Sequence, residues 1–180
     1  MTAISSPDLR LGYLVFEARR PKRWADFCHR TLGLARPLVN PDGSRGWQID
    51  DQAQSLIVQE GPSDDLAALG LHCANEQVLD ALACRIAQAG HPVEEGDARL
   101  CVARRVHRLV RTTDPAGNAV ELFVDPDEAE HAFESEAFPE GFRTGGLGMG
   151  HAVLVAHNLA AMEVFYAEVL GFGVTERLDT

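Results

Sequence analysis

The sequence predicts an α+β fold in which two βαβββ modules pair into one curved mixed sheet around a cavity, followed by a partial third module. Three observations predict it. Strand-like segments alternate with two stretches of helical period; the turn DPAGN, Asp114 to Asn118, joins two strand-like runs; and the opening of the chain recurs 138 residues later.

The first module opens on LRLGYLVFEA, residues 9 to 18, rich in the bulky residues that favour strands. Residues 20 to 32 change to a helical period. Trp24, Phe27, Cys28, Thr31 and Leu32 share a stripe, Pro21 stands in the first turn and Gly33 at the C-terminal cap. Short extended pieces follow at 36–39, 45–50 and 55–59, separated by the turn-like NPDG and DDQ. The second module repeats the order. Residues 69–74 read as a strand, and 77–89 as a helix with Val78, Leu79, Leu82, Ile86 and Ala89 inward and Gly90 as its stop. Strands are expected near 92–94, 106–112 and 119–124.

Residues 9–34 align without a gap on 147–172, with seven identities in 26 positions: Leu9 with Leu147, Gly12 with Gly150, Val15 with Val153, Ala18 with Ala156, Phe27 with Phe165, Leu32 with Leu170 and Gly33 with Gly171. The expected organisation is therefore a complete two-module domain at 1–126, an acidic linker at 127–146, and at 147–180 the first strand, helix and second strand of an incomplete domain. Such a piece exposes apolar sheet unless it packs on the first domain or another chain. The expectation is a fragment of a longer protein, or a homo-oligomer that completes the partial domain in trans.

Composition narrows the function. The net charge of −11 and the single lysine, Lys22, exclude a nucleic-acid partner, because phosphate binding needs clustered cations. No apolar run is long enough for a bilayer and the start is short and polar, so a cytoplasmic location with no membrane partner is expected. Eight acids and no Lys or Arg lie between Glu121 and Glu140, the pattern of a solvated linker. The four cysteines have no metal or disulfide spacing; Cys28 and Cys84 are expected on apolar helix faces.

Three strands of the first domain bring candidate metal ligands: Tyr13, His72 and Glu121, with Gln59 as a neutral fourth. Paired modules could bring residues 59 and 49 positions apart to one cavity. Imidazole and carboxylate suit Fe(II), Mn(II) or Zn(II) with positions left open for substrate, whereas a phenol with a pKa near about 10 suits Fe(III) only. The residues alone leave open that His72 is a hydrogen-bonded cavity wall and Glu121 part of a polar network. The repeat sets His151 where the first domain has Tyr13, and so marks it as a candidate ligand. His157, at the strand-to-helix junction, reads as a capping or solvent-facing residue.

The segment GMGHAVLVAHNLAAMEVFYAEVLGFGVTERL, residues 148–178, resembles the start of the catalytic domain of type I extradiol ring-cleavage dioxygenases, in the vicinal oxygen chelate superfamily. RLGYLVFEARRPKRWADFCHRTLGL and DPAGNAVELF resemble the amino-terminal domain of the same enzymes. The resemblance implies a vicinal oxygen chelate fold and, in a full-length parent, Fe(II), occasionally Mn(II), held by two histidines and a glutamate. The substrates implied are a small catechol-type aromatic diol and O2. His151 matches the first ligand, and the second histidine and the glutamate have no counterpart. The amino-terminal domain of such enzymes has lost its metal. Tyr13 agrees with that loss, although His72 and Glu121 remain. One ligand of three implies that this chain alone is inactive as a dioxygenase. The other readings are a small-ligand binding module of the bleomycin-resistance type, or a metal-dependent glyoxalase-like isomerase or lyase that would need Tyr13 as a ligand.

Overall fold

A computed structural model describes residues 8–142 and 148–177. The first module comprises β1 (Leu9–Ala18), α1 (Pro21–Arg30), β2 (Leu38–Val39), β3 (Arg45–Trp47) and β4 (Leu56–Glu60). The second comprises β5 (Asp64–Cys73), α2 (Glu76–Gln88), β6 (Glu94–Glu95), α3 (Ala98–Arg104), β7 (Val106–Thr113) and β8 (Ala119–Pro126). Their strands form one mixed sheet in the order β2-β3-β4-β1-β5-β8-β7-β6, curved and not closed into a barrel.

The two modules are related by register. In each, the first strand pairs parallel with the last: Leu14 with Leu56 and Val15 with Ile57 in the first, Leu69 with Val120 and Gly70 with Glu121 in the second. The strand starts Leu9 and Asp64, and the helix starts Pro21 and Glu76, differ by the same 55 residues. That offset superposes Leu14 on Leu69 and Leu56 on Val120, so the ladders match. The modules meet where β1 and β5 pair antiparallel.

Helices α1 and α2 cover the outer face. Leu79, Leu82 and Ile86 of α2 pack with Leu9, Leu11, Leu69, Leu71 and Leu122, while Cys28 of α1 packs with Ala18, Trp47 and Val58. Asn75 caps α2 by accepting from Val78 N at 3.0 Å, satisfying one of the donors a helix start leaves free. The inner face carries Tyr13, Val15, Ile57, Ala68, Leu109 and Phe123, against which Leu100 and Cys101 of α3 pack.

Several sequence expectations change. α1 ends at Arg30, and Phe27 on its stripe is 44% exposed, touching Trp24 edge-on. β5 begins five residues before the expected strand at 69, because its whole length pairs with β1. β2 and β6 shrink to two residues each at the sheet edges. Ala89 and Cys84 face outward, and Cys84 accepts from the Gln88 amide on the exposed side of α2. Helix α3 was not expected at all. The acidic segment after β8 is bound rather than free: Ala53 N donates to Asp127 O, Ala129 N to Asp51 O, and the Phe133 ring joins the Cys28 cluster, while the carboxylates from Asp127 to Glu140 stay exposed.

The expected start of the repeat at Leu147 and the linker end at 143–146 lie outside the described residues, as do 178–180. From Gly148 the chain touches β1 through one parallel bridge to Leu11, with Met149 N donating to Leu11 O at 3.0 Å. Gly148 has φ +71°, and a Cβ there would lie 2.1 Å from Leu11 O, so only glycine fits this approach. Residues 150–157 run extended without a ladder, in place of the expected strand. A helix follows: α4 (Leu159–Glu163), capped by Asn158 on Ala161 N at 3.0 Å and continued by a π-helical turn over Val164–Val169. No strand forms over 172–177 either.

This helix belongs to the core of the first domain. Phe165 is fully buried beside Leu79, Leu82 and Ile86. His91 meets the Phe165 ring edge-on at 4.8 Å, Arg85 Nη2 donates to Glu168 O at 2.6 Å, and Tyr166 OH donates to Asp114 Oδ2 at 3.1 Å. Asp114 also accepts from Ala116 N, Asn118 N and the Asn118 amide, so the DPAGN turn is both hairpin and socket. Among the described residues, no helix is long and apolar enough to cross a membrane.

Candidate functional site

Tyr13 reaches the inner face through an irregularity in β1. The register shifts between Leu11 and Tyr13, so Gly12 and Tyr13 both point inward, as at a β-bulge that re-aims a side chain. The Tyr13 ring lies flat against Gly70, where a Cβ would come within 2.3 Å of Cε2; any larger residue would displace the ring. Its hydroxyl donates to Glu121 Oε2 at 2.7 Å.

Glu121 is 2% exposed and has a second partner from α3. Arg104 Nε donates to Oε2 at 2.9 Å and Nη2 to Oε1 at 3.3 Å, a two-pronged charge-assisted pair between a 6% exposed guanidinium and the carboxylate. Burial pushes the Tyr13 hydroxyl well above its ordinary range, and the Glu121 charge adds to it, so Tyr13 stays a protonated donor. Burial works to lower the Arg104 pKa, but Glu121 outweighs it and the guanidinium stays charged.

His72 is not part of this cluster. Its Nδ1 accepts from Arg10 Nε at 3.0 Å, and its ring stacks on Phe123 at 5.1 Å; Phe123 stacks in turn on Tyr13 at 4.7 Å. Burial, then the Arg10 charge, lowers the His72 pKa to about 4, so the ring is neutral near pH 7. The 55-residue offset explains the separation. It equates Tyr13 with Ala68, four residues before His72, and Glu121 with Ile57. The spacing of 59 read between Tyr13 and His72 does not mark equivalent positions. Gln59 is remote too, bonding the Glu17 carboxylate near the end of β4.

The first-domain residues therefore do not fit a metal. Glu121 is taken by Arg104, Tyr13 is a donor, His72 has other partners, and among the described residues no three His, Cys, Asp or Glu side chains converge on a cation position. The space a small ligand would need is filled by the Tyr13 ring and by Leu100 and Cys101 of α3. Sequence reasoning missed Arg104, because a seven-residue helix is too short for its period to stand out. The available signal was Asp97, whose carboxylate caps α3 by accepting from Leu100 N at 2.7 Å.

His151 stands in the opposite setting. It follows Gly150 at φ +96° on the unpaired extended segment, and its side chain is exposed, as is that of His157. Exposure alternates along 151–156. Ala152 and Leu154 pack on the first-domain core, while His151, Val153 and Val155 face out, with Val153 86% exposed.

No protein-family profile matches the chain. It is 35% identical over 171 residues to a biphenyl-2,3-diol 1,2-dioxygenase of Pseudomonas sp. strain KKS102, covering 94% of this chain and 58% of the relative. A 3-methylcatechol 2,3-dioxygenase of Pseudomonas putida F1 is 33% identical over the same shares, and an iron-dependent extradiol dioxygenase of Rhodococcus jostii RHA1 is 29% identical over 93% and 56%. Among solved structures, a halotolerant catechol dioxygenase superposes with a TM-score of 0.84 at 28% identity over 91% of this chain and 55% of its own. The chain thus spans little more than half the length of the relatives it matches. Its sheet order, its repeat and these likenesses agree: it belongs to the extradiol dioxygenase family of the vicinal oxygen chelate superfamily, matching the amino-terminal domain region.

Proposed function

We propose that these residues serve an Fe(II)-dependent extradiol dioxygenase that opens the ring of a catechol-type aromatic diol with O2, in aromatic hydrocarbon catabolism. The observation that carries the reading is His151: a single imidazole, preceded by glycine, at the repeat position where the closed first domain has Tyr13. The first domain then acts as scaffold, holding the helix that follows His151 through Phe165, Tyr166 and Arg85. One ligand cannot hold iron against two open substrate positions, so the 180 residues alone are inactive and the metal is bound only with a second histidine and a glutamate from further protein.

Activity tests this directly. The purified chain, given Fe(II), a catechol and O2, is expected to leave the diol intact. A protein continuing past Thr180 with the two missing ligands is expected to yield the yellow ring-opened product and to lose that activity on His151→Ala. Yellow product from the 180-residue chain would overturn the reading. The outward face with Val153 and Val155 takes a paired strand, from more of the same polypeptide or from a second copy. Sedimentation reads the second case as a dimer.

A further inference from the structure

We infer that the amino-terminal module pair keeps the frame of a three-ligand metal site at positions 13, 68 and 121, with the Arg104 guanidinium held as its permanent cation and α3 as its seal. This goes beyond a lost metal, because it names what replaced it. It stands on register and contacts within the first domain and does not depend on the function proposed above.

Three observations carry it. The matching ladders put Tyr13 and Ala68 at equivalent positions on the two central strands, and Glu121 on the last strand, hydrogen-bonded beside Gly70. The one acidic member of that frame is held by a guanidinium, which satisfies both carboxylate oxygens as a divalent cation would. Finally, α3 is fastened into the cavity rather than laid over it. Gln54 Nε2 donates to Ala103 O at 3.0 Å, Arg105 Nε donates to Asn40 Oδ1 at 3.0 Å, and Arg105 ends the helix at φ +54°. Gln54 and Asn40 are buried and bonded to each other, so the seal is part of the core. Ala68 lies in the same apolar cluster as Leu100 and Cys101, so a small residue stands there where a ligand would need an imidazole.

The inference predicts that the frame can be reopened. In a His151→Ala background, the variant Tyr13→His, Ala68→His, Arg104→Ala presents two imidazoles and the carboxylate, with room left by the guanidinium. Titrated with Co(II), it is expected to take up one equivalent with the visible absorption of nitrogen-ligated cobalt, whereas the His151→Ala parent takes up none. A folded variant, by circular dichroism and tryptophan emission, that binds no Co(II) would overturn the inference. A second measurement holds if that variant does not fold. Arg104→Met alone strands the Glu121 charge, while Arg104→Met with Glu121→Gln removes both charges. The double variant is expected to recover more than half of the melting temperature the single one loses. A double variant no more stable than Arg104→Met would mean that Arg104 is not there to balance Glu121, and the inference falls.

Discussion

Tyr13 and His151 are related by the 138-residue repeat, yet one is 1% exposed against a salt-bridged carboxylate and the other stands open on a strand without a partner. The difference lies less in the two residues than in what surrounds them. Around Tyr13 a second module supplies β5, β8 and α3, and with them Glu121 and Arg104. Around His151 the described chain supplies only a helix, and that helix spends its apolar face on the first domain. A ligand position becomes a site only when the paired module arrives, and the first domain shows how such a module can close a site instead of arming it.

The contrast can be broken most severely at the closed end. Arg104→Met should destabilise the chain by roughly 3 to 5 kcal/mol, since it leaves a buried carboxylate unpaired, measured as the loss in urea-unfolding free energy. An effect below about 1 kcal/mol would mean that water reaches Glu121 and the site is not closed. Phe165→Ala, which removes the ring joining the third module to the first, should cost slightly less, about 3 to 4 kcal/mol. If the helix were merely laid on the surface, the loss would be small and tryptophan-reported unfolding unchanged. Tyr13→Phe keeps the ring and removes one donor from Glu121, for about 1 to 3 kcal/mol in the same assay.

A pH series sharpens the separation of His72 from the closed cluster. Unfolded His72 gains its proton near pH 6.5 and folded His72 only near pH 4, so between these values the unfolded chain binds more protons. Stability is therefore complete above about pH 6.5, falls on acidification through this window and levels off below about pH 4. His72→Gln should flatten that part of the profile; an unchanged slope would show that the imidazole titrates normally. The smallest effect is expected at the open end. His151→Ala should change unfolding free energy by no more than about 0.5 kcal/mol, because the side chain is exposed. A larger loss would reveal contacts for His151 and erase the contrast.

Residue patterns alone were enough for the order of strands and helices, the two-module plan, the DPAGN turn and the value of His151. These rest on local propensity, periodicity and repetition, which a linear sequence carries directly. What folding alone decided concerns distances between residues far apart in the chain. The offset between modules is 55 and not 59, because ladder register follows hydrogen bonding, and this exchanged His72 for Ala68 at the central position. Arg104 reached Glu121 through a seven-residue helix too short to announce itself. Tyr166 found Asp114 because Phe165 needed an apolar cover that its own unfinished module does not provide. The sequence by itself determined which chemical groups were available and on which elements. Only the tertiary structure decided which of them met, because pairing register and the burial of apolar surface are settled between segments, where no local pattern can record them.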